Sequence, residues 1–544
     1  MVAALLLACV FYSGADRDRD SDGVVAIAFG GADCDDEVPT VHPGATEVCN
    51  AVDDDCDGSA DIGATDGTVW YFDVDGDGYG SEEVLACEES DGIAAINGDC
   101  DDSDAAVNPG AVDDVCTTEA EDCDGANSPD GAEANARLGG EAGGTSGIGL
   151  GLATGQQDSV GEVLVAGSAD AGSVLVFALS EGTEQKSADS WARLDGGGGP
   201  VAFGDAFVTD ADQDDLFVGD PGYDGGRGRL GIFQLAETGG EHAWDNATAI
   251  WEGEAEGQSL GATLLFFEGD ATSHSSMLFI GAPATDEGRG RVYILQLTAS
   301  GQSGTLPVAD NPYAVVAAAH AALGAGLGSS LGGWADSGNA LWGVYGAPGE
   351  QSDRGTEAGT FFMAAVGGPI DVHEHAVQRY VGSDGGDRFA TAIAFRDIDS
   401  DGIIDLLVSA PGRDTDAGED AGAVYLLPGT VLEANTAVAD TYELSEATLV
   451  IEGDGAGRGL GRALSLTDDG RLRASAWSSS CTDGDPGVVY TLGLDGSGIR
   501  IAEASDVVAV GEPGAELGAS LLEGVSGTWV GEPGLSQVER FFFP

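Results

Sequence analysis

Past residue 131 the chain repeats one phrase: a short apolar run, a tight turn, a polar glycine-rich stretch and a second apolar run. "LFVGDPG" (216–222) leads to "GRLGIFQL" (228–235), "MLFIGAP" (277–283) to "GRVYILQL" (290–297), and "LLVSAPG" (406–412) to "GAVYLLPG" (422–429). Apolar runs this short, bounded by Gly, Pro and Asp, read as β-strands. Seven units can be aligned on an apolar-Gly start: Ile148-Gly149, Phe203-Gly204, Leu260-Gly261, Leu327-Gly328, Phe389-Ala390, Leu460-Gly461 and Leu517-Gly518. Each start is followed by a second marker, at 166, 219, 281, 346, 409, 474 and 531. The starts recur at roughly 55–70 residues, the size of a four-stranded propeller blade with its loops.

A further short strand precedes the starts, as "ARLDG", "AIWEG", "QRYVG" and "LVIEG". The same phrase stands before the first unit as "ARLGG" (136–140), while the last unit ends at "VERFFFP" with no fourth strand after it. The N-terminal strand is therefore expected to complete the seventh blade and cover an edge that would otherwise be free to pair with another chain.

The fifth unit carries "DIDSDGIID" (397–405) just ahead of an apolar run. Asp397, Asp399, Asp401 and Asp405 occupy loop positions one, three, five and nine, with Gly402 at six. Alternate residues turn oxygens inward, and the glycine allows the sharp bend of an oxygen-lined cation cage. An EF-hand would place Glu at position twelve; Val408 stands there, so the loop feeds a strand and not a helix. The second unit keeps Asp210, Asp212 and Asp214, beside Asp215, in a shortened form of the loop.

These units resemble FG-GAP repeats, the blades of the integrin α-chain propeller and its bacterial relatives. The resemblance implies seven blades and a calcium held by an Asp-x-Asp-x-Asp-Gly-x-x-Asp loop between a blade's first two strands. It also implies a role in adhesion or ligand recognition.

Residues 16–130 have another character. "DCDDEVPTVHPGATEVCNAVDDDCDG" (33–58) recurs as "DCDDSDAAVNPGAVDDVCTTEAEDCDG" (99–125). Asp53, Asp55, Asp57 and Asp61 repeat the cation-loop spacing in the first copy, and Asp73, Asp75 and Asp77 begin it between the copies. Too little apolar material is present for a core, so disulfides and metal are expected to supply the order. The region resembles the metal-binding repeat of bacterial surface and secreted proteins, most closely over Pro43–Cys49. The second copy has Ala120 and Ser128 where the first has Asp53 and Asp61, so its terminal loop lacks two carboxylates.

Charge narrows the list of partners. A formal −75, from 95 acidic against 20 basic residues, repels nucleic acid and anionic lipid. At 42% hydrophobic residues the chain is not a disordered acidic tail. Residues 1–15 hold an apolar run shorter than the roughly 20 residues a bilayer span needs and read as an export leader. Leu6-Leu7-Ala8-Cys9 resembles a lipobox, which would place a lipid on Cys9 as the one membrane attachment. Seven of the nine cysteines lie between 34 and 123, none as Cys-x-x-Cys, which points to disulfides in an oxidising compartment and away from zinc.

Other signals are weak. "GQSLG" and "GSSLG" match a nucleophile elbow but lie on the repeat's own start, without strand-to-helix context. His373 and His375 lack a visible third ligand. "GDGAGRGLG" lacks the lysine and helix of a phosphate loop. The expectation is an all-β chain: a leader (1–15), a small disulfide- and calcium-dependent loop-rich region (16–130) and a seven-bladed β-propeller (131–544). It is read as a monomeric, extracellular or cell-surface calcium protein that binds a protein or glycan and is not an enzyme. The rival readings are a structural or metal-sequestering coat protein and a hydrolase built in the propeller channel.

Overall fold

The computed structural model describes residues 17–110 except 89 and 91, then Cys123, then most of the chain from 136 to 541. The longer stretches outside it are 1–16, 111–122, 124–135, 140–147, 179–184, 187–191, 196–206, 210–214, 235–239, 268–274, 298–303, 435–439, 477–486 and 511–516. Contacts divide the chain into a front unit, Met1–Asp114 with Glu119–Asn127, and a second unit comprising Val115–Thr118 and Ser128–Pro544.

The front unit is poor in regular structure. Thr68–Phe72, Glu83–Ala86 and Ile93–Ala94 form one small sheet, and Tyr79–Gly80 pairs with Ile96–Asn97. Its buried apolar residues among those described are Ala26, Val41, Ala64, Ala86, Ile93, Ala94 and Val107. Side chains so few and small cannot hold a fold alone. Disulfides Cys34–Cys56, Cys49–Cys87 and Cys100–Cys123 cross-link it; the clustering of cysteines predicts disulfides here, and the structure supplies their pairing.

Among the described residues the second unit contains seven sheets in succession, each of four or five strands. The fifth shows the plan. Ile393–Arg396, Asp405–Ala410, Ala423–Leu427 and Leu449–Glu452 follow one another antiparallel, and Gly498–Ile501 from the next unit adds a parallel strand outside. The two middle strands are buried throughout, while Leu449–Glu452 alternates buried with half-buried. Continuous apolar runs such as "LLV" suit that place, because both faces are covered.

Alternation across the pleat decides which neighbour each side chain meets. Leu406 and Val408 pack with Val344, Phe361 and Tyr380 of the fourth sheet. Leu407 points the other way, towards Leu472, Ala474 and Tyr490 of the sixth. Sheets therefore stack face to face, and Leu522 of the last packs on Leu164 and Phe177 of the first. This is propeller architecture.

The glycine-rich markers stitch the sheets together. Leu327, at the start of the fourth unit, donates its amide to Arg289 O at 3.0 Å, and Gly328 donates to Gly346 O at 2.9 Å. The first of these bonds reaches back to the third sheet; the second lies within the fourth. Its counterparts are Leu260 to Arg227, Phe389 to Ala358 and Leu460 to Ala421. Gly290 has φ +90, and a Cβ there would lie 2.3 Å from Leu327 N and O. Only a bare Cα lets the two backbones come so close.

Closure follows the expected route. Ala136–Gly139 pairs antiparallel with Gln537–Phe541, with Leu138 opposite Val538. Gln185–Lys186 then adds a parallel strand outside it. The sequence reading allowed four strands per blade; the fifth was not foreseen. It comes from the connection between the third and fourth strands of the following unit, for example Gly304–Pro307 on Ala249–Glu252. In the last sheet the third strand is C-terminal and the fourth N-terminal. Among the described residues the sixth sheet has four strands.

Candidate metal centres

The loop 397–405 lies between the first two strands of the fifth sheet, whose ends meet as Arg396 opposite Asp405. Asp397 organises the turn: Oδ1 accepts the Asp401 amide at 3.1 Å and Oδ2 the Gly402 amide at 3.0 Å. Gly402 sits at φ +86, the left-handed region that this bend requires. Carboxylate oxygens of Asp397, Asp399 and Asp405 come within 4.8 Å of one another. Asp401 stands outside that trio; its Oδ1 accepts the Ile403 amide at 2.8 Å and closes a local turn.

Asp405 is 3% exposed. Its oxygens accept the amides of Ile398 at 2.8 Å and Gly429 at 2.7 Å, which ties the loop to the end of the third strand. Burial raises its pKa; those two amides oppose the shift and the charge of Asp399 adds to it. Beside the loop lies a cavity of about 460 Å³, lined by Asp399, Asp405, Leu426, Thr448, Asp469 and Leu494. Asp469 belongs to the corresponding corner of the sixth sheet. The Thr467 hydroxyl donates to it and holds its carboxyl below the usual range, with Arg471 in support.

Two front-unit loops share the turn at 397–402. Asp73 accepts the amides of Gly76, Asp77 and Gly78 at 2.7, 3.2 and 3.0 Å. Asp53 accepts those of Asp57 and Gly58 at 3.1 and 2.9 Å. Asp73, Asp75 and Asp77 converge, as do Asp53 and Asp55 with Glu47. Asp57 and Asp61 are directed elsewhere. Asp57 accepts the Ser59 amide at 2.8 Å, and Asp61 those of Asn50 and Ala51 at 2.8 and 2.9 Å. Glu47 is 4% exposed and takes the amides of Asp54, Asp55 and Asp61.

Sequence reasoning passed over Glu47. It also passed over a group formed by Asp18, Asp20 and Asp22 with Asp33 and Asp36. The signal was present: Asp18, Asp20, Asp22 and Gly23 repeat the spacing of Asp73, Asp75, Asp77 and Gly78, disguised by Arg17 and Arg19 between the acids. Asp210, Asp212, Asp214 and Cys9 lie outside the described residues. His373 and His375 face different partners, Glu350 Oε1 and Asp371 O.

Two family models match parts of the chain. Cu-binding_MopE, described as "Putative metal-binding motif", covers residues 33–61 and 99–128. The FG-GAP repeat covers residues 389–427, the first three strands of the fifth sheet with its acidic loop. Among proteins with curated descriptions, none matches this sequence. Solved structures similar in shape include Sqt1 from Chaetomium thermophilum, at 14% identity over 76% of this chain and 100% of that one, TM-score 0.40. The computationally designed Ika8 protein is 13% identical over 76% and 100%, TM-score 0.39. The Dos1 propeller is 11% identical over 70% and 74%, TM-score 0.36. Likeness at this level is too remote to speak to function.

Proposed function

We propose that the chain is an exported calcium-binding protein whose propeller serves as a rigid platform for recognising a protein or glycan. The observation that carries this reading is the convergence of Asp397, Asp399 and Asp405 at a blade corner, beside a cavity of about 460 Å³. Calcium is favoured over copper or zinc because the converging donors are carboxylate oxygens alone, the donor set of hard cations. Export to an oxidising compartment, the cell surface or beyond, is supported by the three disulfides. A lipid on Cys9 would supply the one membrane attachment, and a net charge of −75 disfavours nucleic acid. The reading is of a monomeric binding protein, not an enzyme.

Asp397→Asn with Asp399→Asn tests the site; Asn at each position keeps an acceptor for the Asp401 amide and gives up only the Asp397 bond to the Gly402 amide. Wild type should gain about 2.7 kcal/mol at calcium a hundredfold above Kd, with Kd at roughly 10⁻⁴–10⁻³ M for an extracellular module. Thermal melts followed by Trp emission report mainly the propeller, Trp70 being the front unit's one Trp. The double variant should lose most of that gain; an undiminished calcium response would refute the assignment. Protein and glycan arrays probed with and without calcium test recognition itself. Calcium-dependent stability with no ligand on either array would favour the purely structural role.

A further inference from the structure

We infer that the front unit holds two composite cation sites, in each of which the first aspartate of a cysteine motif closes a separate Asp-x-Asp-x-Asp-Gly loop upstream. Asp33 closes the loop of Asp18, Asp20 and Asp22; Asp99 closes the loop of Asp73, Asp75 and Asp77. The inference rests on the cation-binding reading of the front unit and is independent of the blade loop.

The two constellations share three backbone bonds and a glycine conformation, and differ at the first aspartate, where Asp73 accepts loop amides and Asp18 Oδ1 does not. Asp33 Oδ1 accepts the Asp35 amide at 2.9 Å, and Asp99 Oδ1 accepts the Asp101 amide at 2.9 Å. Asp36 Oδ1 takes the amide of Arg19 at loop position two, at 2.9 Å, and Asp102 Oδ1 that of Val74 at 2.8 Å. Asp22 Oδ1 accepts from Val24 at 2.6 Å, and Asp77 Oδ1 from Tyr79 at 2.8 Å. Gly23 and Gly78 take φ +99 and +96. The connections differ. A short 3-10 helix, Ile27–Phe29, lies between loop and motif in the first, and pairs of short strands lie between them in the second. The Asp33, Asp99, Asp22 and Asp77 bonds are local turns of the repeated phrases, but Asp36 to Arg19 and Asp102 to Val74 join loop and motif across 17 and 28 residues, and local sequence geometry does not account for that match.

A ligand is indicated by what remains unpaired. Asp33 is 2% exposed and Asp99 7% exposed, yet Oδ2 of each is buried without a hydrogen-bond partner. The same holds for Asp20 Oδ2 and Asp22 Oδ2 in the first loop, and for Asp75 Oδ2 and Asp77 Oδ2 in the second. Asp18 Oδ1 joins them. A buried carboxylate oxygen without a donor is costly, and where several such oxygens converge a cation relieves them all at once. Asp20, Asp33 and Asp36 bring oxygens within 4.8 Å, and so do Asp18, Asp20 and Asp22. Burial, with the charges of Asp77 and Asp102, raises the Asp99 carboxyl; burial, with Asp20, Asp22 and Asp36, raises that of Asp33. Because Cys34 and Cys100 follow these aspartates directly, each ion also fastens its loop to a disulfide, Cys34–Cys56 or Cys100–Cys123. All donors are hard oxygens, so the probe is calcium.

The test is calcium titration of the full-length, chelator-stripped protein by calorimetry. Asp33→Asn should weaken one calcium at least about tenfold, and Asp99→Asn a different one. Asp20→Asn should strike the same ion as Asp33→Asn, so their combination removes one ion and not two. Asp35→Asn, in the same motif but outside the cluster, should change nothing. If Asp73→Asn loses an ion while Asp99→Asn does not, the composite site is overturned and the simple loop stands. If neither loses one, cation binding by this loop fails as well. Should a variant fail to fold, hydrogen exchange of wild type decides. Calcium should protect 18–24 together with 33–37, and 73–79 together with 99–103. Protection of the loops alone would overturn the inference.

Discussion

Gly290→Ala and Gly386→Ala form a matched pair that measures what the close contact between sheets is worth. Both glycines sit in the same left-handed conformation, φ +90 and +91. Alanine at either position meets the same backbone strain, roughly 1–2 kcal/mol. What differs is the space. A Cβ on Gly386 has nothing within 4 Å, whereas one on Gly290 falls 2.3 Å from Leu327 N and O. Those are backbone atoms held by the Leu327-to-Arg289 hydrogen bond and cannot swing aside as a side chain could. Separating the sheets to admit the methyl resembles overpacking, at roughly 1–3 kcal/mol beyond the shared strain. Urea unfolding followed by Trp emission, in saturating calcium, gives both values from midpoint shifts at constant slope. Gly290→Ala should therefore lose about 1–3 kcal/mol more than Gly386→Ala. Equal losses, within about 0.5 kcal/mol, would refute the claim that this contact enforces glycine.

Two further outcomes are expected. Removing residues 131–141 strips Ala136–Gly139 from Gln537–Phe541, so it should lower the propeller's melting temperature far more than removing 16–125; equal melting would deny the clasp. Asp220→Ala removes the carboxylate 2.9 Å from Arg229, whose guanidinium lies over the rings of Tyr223 and Trp244. That should cost roughly 3–5 kcal/mol in urea titrations, and Arg229→Met added to it should recover most of the loss; a double variant no better than the single would refute the pairing argument.

The strands were legible because each needs only a local pattern. "MLFIGA" and "RVYILQ" are apolar enough to be buried on both faces and are bounded by glycines that terminate them. The closing strand was legible because "ARLGG" repeats the phrase ahead of the other starts. The outer parallel strands were not. Gly304–Pro307 and Ile370–Asp371 have no strand-like composition and are held by the sheet they join. The cation loops were half legible. Spacing locates the loop, but an aspartate at a ligand position can equally accept a nearby amide, as Asp401, Asp57 and Asp61 do. Closing residues such as Glu47, Asp33 and Asp99 come from outside the loop, beyond the reach of any spacing rule.

The two units answer the same problem, a surface crowded with acid, by different means. In the propeller, charge stays outside a continuous apolar stack, and three of the buried acids are engaged locally: Asp220 by Arg229, Asp387 by the amides of Ser383 and Asp384 with Arg413 nearby, Asp405 by Ile398 and Gly429. Glu350 meets His373 through Oε1 and leaves Oε2 unpaired. Such a ring can stay folded without a cation and use one at a blade corner to stiffen the rim beside a cavity. The front unit has no comparable stack, and two of its buried acids, Asp33 and Asp99, leave oxygens unpaired beside half-buried aspartates that do the same. Repulsion among close carboxylates, about 1 kcal/mol per pair at 4 Å even in water and more when dry, would be relieved in that unit by the cations proposed for it. Cation removal should accordingly loosen the front while sparing the ring. The order of loss as calcium falls therefore follows from where each unit keeps its buried oxygens.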